Sequence, residues 1–397
     1  MISVEKAFER IVTSAKPLST ERIAVAETSG RVLAAPLAAR RSQPGADLSA
    51  MDGYAVKSTD LTGEMTEFRV IGESAAGSPF VGELKSGEAI RIFTGAVVPA
   101  GADQVVIQEN VERRDGSIFT REANEPAKNI RAMGIDFYEK QVVLDAGTFM
   151  TPKSIGLAAS AGHSHLMVHR APKVAILSTG DELVSPDKAS FAPHETVNST
   201  APQLMALLND AGADCSYIGQ AGDSLKSLRE AIKKAASADI LITLGGASVG
   251  DKDLMQQALS AEGMTLDFWK VAMRPGKPLI HGQIGDMRVL GLPGNPVSAF
   301  VCALLFARPL VDQLMGRPAP LPMGVPLPLA ADMPANGPRQ HYVRARLIGV
   351  PGERALDPAV DQDSSLLTVL AQSDGLIIRA PDAPAAKAGD FVPFLPF

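Results

Sequence analysis

Apolar positions along the chain fall into two periods. Near the start, Val4, Ala7, Phe8, Ile11 and Val12 recur at helical spacing behind Ser3, which predicts a short amphipathic helix capped by Ser3. From about residue 46 to 143 the period shortens. Runs such as Phe68–Ile71, Ala89–Phe93 and Gln104–Gln108 stand between Gly, Pro and Asp turns and predict a β-rich module. Thr151-Pro152, a cap residue followed by Pro at the first helical position, opens a helix that ends near Gly162.

From Pro172 onward strands and helices alternate. The predicted strands are Lys173–Leu177, Ser216–Gly219, Ile240–Leu244 and Met287–Leu290. The predicted helices are Thr200–Ala211, Ser224–Ala236 with Asp223 as cap, Asp253–Ala261 and Pro296–Met315. This order implies a doubly wound, mostly parallel α/β sheet covered on both faces. After the Pro-rich stretch Pro318–Pro322, the runs Tyr342–Ile348, Leu376–Ile378 and Phe391–Phe394 predict a small C-terminal β domain.

Composition narrows the class. The 397 residues are 46% apolar and 21% charged, a globular balance, with a net charge of −6 that gives no reason to expect nucleic acid as a partner. Cys215 and Cys302 form no CxxC pair, so neither a disulfide framework nor a structural zinc site is expected. The first residues lack a signal-peptide core, and the apolar stretch Ala299–Ala307 is short of the ~20 residues of a membrane span. A soluble, cytoplasmic protein without a membrane partner is the expectation.

In an open α/β sheet, ligands bind beyond the carboxyl ends of the strands. Three Gly-rich loops fall there: Ser178–Glu182, Gly245–Asp253 and Gly291–Ser298. Glycines let backbone N–H groups approach an anion, and a helix N-terminus adds positive potential, so the loops suit a phosphate-bearing ligand. The carboxylates Asp181, Glu182, Asp223, Asp251 and Asp253 suit a divalent cation such as Mg²⁺ beside the phosphates, although helix-start roles explain Asp223, Asp251 and Asp253 equally well. Lys270, Arg274 and Lys277 flank Pro-Gly turns and are either solvated loop cations or anion ligands. His163, His165 and His169 lie close together without a metal-ligand pattern, and no GxSxG, P-loop or GxGxxG motif occurs.

Taken together, the motifs resemble the molybdopterin molybdenumtransferase (MoeA) family, found also as the C-terminal part of gephyrin. They are Ser49–Ala55, Phe93–Ala96 with Pro99–Asp103, Asn129-Ile130-Arg131 with Gly134 and Asp136, Ser178–Leu183, and Gly245-Gly246 with Ser248, Gly250 and Asp253. Arg274–Pro278 and Leu292–Ser298 complete the set, and the resemblance covers nearly the whole chain. It implies four domains: a linker domain from 1–45 and 137–170, an inserted β-rich domain at 46–136, a molybdopterin-binding α/β domain at 171–317 and a C-terminal β-barrel domain at 318–397. It also implies a homodimer whose cleft is shared between subunits, with a molybdopterin-adenylating enzyme and molybdoenzyme maturation factors as partners.

The implied reaction inserts molybdate into adenylylated molybdopterin and releases AMP, with Mg²⁺ as cofactor. Carried over by position, Asp52, Thr94, Asp136, Glu182, Asp223, Asp253, Lys270 and Arg274 match activity-critical residues, with Asp223 and Glu182 at the metal. Arg131, Thr179, Gly180, Asp181, Gly245, Gly246, Ser248, Gly250, Lys277, Pro293, Gly294, Asn295, Pro296 and Ser298 match substrate-binding positions. Arg344 and Ser364 match C-terminal residues that bind the oxyanion. Arg274 stands where a lysine is commoner, which keeps the charge and changes the hydrogen-bond geometry. Nucleotidyl transfer to molybdopterin and a non-catalytic dimeric scaffold are the alternatives.

Overall fold

The computed structural model describes residues 1–246 and 254–397. They form two compact units, Met1–Glu21 with Gly30–Ala34 and Val168–Phe397, and Arg22–Ser29 with Ala35–Met167.

The first unit is built on a six-stranded sheet. Its order is Asp214–Ala221, Lys173–Thr179, Ile240–Leu244, Met287–Leu292, Pro278–Ile284 and Thr265–Lys270. The first four strands are parallel, as the alternating pattern predicts. All five residues of Ile240–Leu244 are buried, the mark of a strand covered on both faces. Leu177, Leu228, Ile232, Leu241, Leu259 and Val289 belong to one core cluster there.

The last two strands were not foreseen. Pro278–Ile284 runs antiparallel to Met287–Leu292, with Ile280 opposite Gly291, and Thr265–Lys270 runs antiparallel to it, with Lys270 opposite Pro278. This register matters for the site. Two reversals bring Lys270 and the turn Val271–Lys277 back to the edge where the parallel strands end.

Helix Pro296–Leu314 is longer than its apolar run and is the one described helix long and apolar enough to cross a membrane; most of it is buried in the fold. Pro309 lies within it. Proline has no N–H and crowds the carbonyl four residues back, and the wider π turn Ala303–Ala307 occupies that place. The N-terminal helix Val4–Phe8 is capped by Ser3, whose Oγ accepts from Lys6 N–H at 3.2 Å.

The same unit carries a second six-stranded sheet. It runs Met273–Arg274, Gln340–Ile348, Gly375–Arg379, Phe391–Pro396 and Val325–Pro328, with Ala355–Pro358 also paired to Gln340–Ile348. Val343, Leu356, Ile377, Val392 and Phe394 fill its core. Val325–Pro328 escaped sequence reading because two of its four residues are prolines, which an edge strand tolerates.

The second unit holds a third six-stranded sheet, in the order Gln104–Ile107, Gly53–Val56, Glu88–Ile92, Thr66–Ser74, Ser117–Thr120 and Val111–Arg114. Tyr54, Phe68, Val106 and Ile118 pack in its core. Helix Pro152–Ser160 follows, with a reciprocal capping box between Thr151 and Ser154.

Candidate functional site

A cleft of about 830 Å³ opens beyond the carboxyl ends of the parallel strands. Thr179, Gly180 and Glu182 form one wall, Gly245 and Gly246 the floor, and Gly294, Asn295 and Pro296 the opposite wall. Asp223 enters from the end of the neighbouring strand. The described parts of the three Gly-rich loops, with Gly245 and Gly246 standing for the second, thus meet at one cleft.

Their glycines are steric requirements at two places. Gly245 has φ +88°, and a Cβ there would stand 2.8 Å from Thr179 Oγ1 and 2.9 Å from the Thr179 carbonyl. Gly180 has φ +130°, and a Cβ would stand 2.6 Å from a Glu182 carboxylate oxygen. At 245 only glycine lets the backbone approach Thr179 so closely, and at 180 the left-handed backbone itself calls for glycine. Thr179 itself is buried and donates its hydroxyl to the Leu244 carbonyl at 3.1 Å, tying two strand ends together.

Asp223 is not the helix cap that its sequence position suggested. The helix is Leu225–Lys234, and Ser224 caps it by accepting from Ser227 N–H at 3.2 Å. Serine in the extended cap conformation satisfies the first turn, which leaves the Asp223 carboxylate to the cleft. Partial burial pushes that carboxyl above its ordinary value, and the nearby charges of Asp181 and Glu182 push it further. Asp181 in turn accepts from Asp223 N–H at 3.3 Å.

The cations stand at the same edge but outside the cleft lining. Lys270 Nζ lies 3.7 Å from the ring centroid of Trp269, a cation–π contact. Arg274 and Lys277 are exposed, and Arg274 pairs in register with His341 of the second sheet. His341 is pushed down to about 4 by burial and by the surrounding Arg274, Arg339, Arg344 and Arg379. At the third loop Pro293 and Ser298 are buried, so they support the loop and the helix start.

Ser364 meets the same helix start. Its Oγ accepts from Asn295 Nδ2 at 2.8 Å, and its carbonyl accepts from Val297 N–H at 3.2 Å. The expectation for Arg344 fails. Its guanidinium is buried and donates to the carbonyls of Asp361, Asp363 and Leu366 and to Gln362 Oε1. With its donors turned onto this loop, Arg344 holds the segment that carries Ser364 and is not presented to an oxyanion.

Four expected residues belong to the second unit. Asp52 Oδ1 accepts from both the N–H and the hydroxyl of Thr94, each at 2.8 Å. The Thr94 N–H first, then its hydroxyl and the Arg91 charge, hold the Asp52 carboxyl below its ordinary range. Arg131 is exposed on a short strand paired with Leu48–Ser49, and Asp136 is exposed with its N–H on the Gln43 carbonyl at 3.0 Å. Ser248, Gly250, Asp251 and Asp253 lie outside the described residues. Among the described residues no group of three metal-type ligands occurs, the histidine cluster included.

Sequence reasoning missed Asn198 and Ser365, which also line the cleft. Asn198 Nδ2 donates to Ser178 Oγ at 3.0 Å and to the Tyr217 hydroxyl at 2.9 Å. The polar run Asn198-Ser199-Thr200 before a helix is the available signal, of which the sequence reading takes only Thr200, as a helix start.

Comparison with known proteins agrees with this architecture. Residues 2–162 match the MoeA N-terminal region (domain I and II), 175–313 a probable molybdopterin binding domain, and 326–397 the MoeA C-terminal region (domain IV). The chain is 38% identical over 322 residues to the molybdopterin molybdenumtransferase of Haemophilus influenzae, covering 80% of this chain and 78% of that one. It is 33% identical over 386 residues to that of Bacillus subtilis, covering 95% and 90%. Two crystal structures of the molybdopterin biosynthesis MoeA protein from Pyrococcus horikoshii superpose over 100% of this chain and 99% and 100% of theirs. Their TM-scores are 0.87 and 0.86 at 28% and 24% identity. The chain belongs to the molybdopterin molybdenumtransferase (MoeA) family.

Proposed function

We propose that this chain is a molybdopterin molybdenumtransferase, which inserts molybdate into adenylylated molybdopterin and releases AMP in molybdenum cofactor biosynthesis. The carrying observation is the convergence of three Gly-rich strand ends on one cleft, with Asp181, Glu182 and Asp223 gathered on its flank. The Gly180, Gly245 and Gly294 loops present backbone to the substrate phosphates. Lys270, Arg274 and Lys277, at the same sheet edge, supply the positive charge that draws in molybdate and the polyanionic pterin. Ser364 and Asn295 offer hydroxyl and amide groups at the helix start.

The donor set fits Mg²⁺. This ion takes one or two hard carboxylates, keeps several waters and accepts substrate phosphate oxygens, so it needs no cluster of three protein ligands. Glu182 and Asp223 would hold it, and when bound it neutralises charge on the phosphoanhydride during AMP release.

The same reading includes the four modules 1–45 with 137–170, 46–136, 171–317 and 318–397. It also includes a homodimer in which Asp52, Thr94, Arg131 and Asp136 of one copy complete the cleft of the other. Their polar side chains and their match to the family motifs support this. A molybdopterin-adenylating enzyme would supply the substrate, and molybdoenzyme maturation factors would take the product.

The test supplies purified protein with adenylylated molybdopterin, molybdate and Mg²⁺. Molybdate-dependent AMP release is expected, and its absence refutes the reading. For the shared cleft, inactive Asp52→Ala and Asp223→Ala chains are mixed and allowed to exchange subunits. Regained activity supports the assignment, and exchange without regain refutes it.

A further inference from the structure

Gln220 sits at the end of edge strand Asp214–Ala221, one residue before Ala221 and three before Asp223. Its Nε2 donates to the Gly180 carbonyl at 2.6 Å and to the Leu183 carbonyl at 3.1 Å. Those two carbonyls bracket Asp181 and Glu182. Two residues further on, Gly222 makes room for the Asp181 carboxylate: a Cβ there would stand 3.1 Å from Asp181 Oδ1. Asp223 then donates its N–H to that same carboxylate at 3.3 Å. One short segment, 220–223, therefore carries a carboxylate of its own and grips the loop that carries two more.

The grip has a physical purpose. Asp181, Glu182 and Asp223 carry like charges and repel one another, with Asp223 partly withdrawn from water. A free Gly180–Leu183 loop would swing outward to relieve this. An amide that donates to both ends of the loop opposes the swing without adding charge, and a cation site is only as good as the shell that fixes its ligands.

We propose that Gln220 is a positioning residue: by clamping both ends of the acidic loop it keeps Glu182 in the same cleft as Asp223, so that the two can share a divalent cation. The proposal rests on assigning Glu182 and Asp223 to that cation, and it adds what keeps them together in the empty protein.

The experiment uses the full chain with Gln220→Met, which keeps the length and loses the donors, and Gln220→Asn, which keeps the donor but is one methylene shorter. Hydrogen exchange of residues 178–185 is followed by mass spectrometry against Mn²⁺ concentration. Mn²⁺ is expected to slow exchange in the unsubstituted protein. Gln220→Met is expected to speed exchange there without changing the melting temperature, because the site lies on an edge strand. It should also raise the Mn²⁺ concentration for half-protection by about 5- to 30-fold, the worth of one to two neutral hydrogen bonds. Gln220→Asn should fall between.

Unchanged exchange in Gln220→Met overturns the clamp. Faster exchange with an unchanged Mn²⁺ midpoint overturns its link to the cation, as does a protein whose segment Mn²⁺ never protects. In the AMP-release assay, Gln220→Met should raise the Mg²⁺ concentration for half-activity and keep kcat at saturating Mg²⁺. Absence of AMP release by the unsubstituted protein refutes the transferase reading instead, and the exchange arm still decides the clamp.

Discussion

Arg344→Ala separates a ligand contact from a structural one. Arg344 is 1% exposed. Its Nε donates to Gln362 Oε1 at 3.3 Å, Nη1 to the Leu366 carbonyl at 3.1 Å, and Nη2 to the carbonyls of Asp361 and Asp363 at 3.3 and 2.9 Å. Truncation strands these acceptors and opens a void. A hydrogen bond to a charged group is worth about 1.5–3 kcal/mol. The bonds are not additive, and water entering the void recovers part of the loss, so about 3–5 kcal/mol is expected, as for breaking a buried charged network. At roughly 2 °C per kcal/mol for a unit of this size, the midpoint falls by at least ~6 °C.

The assay is thermal unfolding followed by Trp269, the single tryptophan, which lies close in sequence to Met273–Arg274, the strand that pairs with Gln340–His341. Arg344→Lys should recover only part of the loss, since one ammonium cannot span four acceptors. Molybdate titration completes the measurement. A variant that melts with the unsubstituted protein yet no longer binds molybdate would refute the reasoning and return Arg344 to the oxyanion.

Three further outcomes are expected. Ser224→Ala should destabilise the Leu225–Lys234 helix by ~1 kcal/mol in denaturant unfolding, whereas Asp223→Ala should not, because Ser224 is the cap. Asp223→Asn should abolish Mg²⁺-dependent AMP release without lowering the melting temperature. The folded-state pKa of Asp223 is raised, so its contribution to stability is full below the unfolded pKa and lost as pH rises through the folded one. The midpoint gain from Asp223→Asn should therefore appear at pH 7 and vanish as pH falls towards the ordinary carboxylate range; a gain that persists in acid would contradict this. Gly245→Ala should cost about 1–3 kcal/mol of stability and sharply weaken substrate binding, since its Cβ meets Thr179 backbone at 2.9 Å; equal affinity by calorimetry would show that the floor of the cleft yields.

Much of the sheet was legible because burial on both faces writes an unbroken apolar run, as in Ile240–Leu244. The two antiparallel strands were not. Pro278–Ile284 contains His281, Gly282 and Gln283, and its pairing is decided by register with distant residues. The Gly-rich loops could be read because positive φ at Gly180 and Gly245 demands glycine. Asp223 and Ser224 are adjacent residues of equal capping competence, and only backbone geometry chose between them. Arg344 could not be read at all: what encloses it is a loop 17 to 22 residues away, whose carbonyls leave no mark in the sequence.

Ser364, in a loop of the C-terminal region, ties that region to the first turn of Pro296–Leu314, and Ser365 and Leu367 line the cleft beside it. A molecule that fills the cleft therefore touches both sides of a seam within the chain. Its binding free energy must then be shared with the closure of that seam, and closure must strengthen binding by the same factor. The adhesion of residues 326–397 becomes a function of substrate concentration. The Pro-rich link around Pro318–Pro322 should accordingly resist proteases better in the loaded protein than in the empty one.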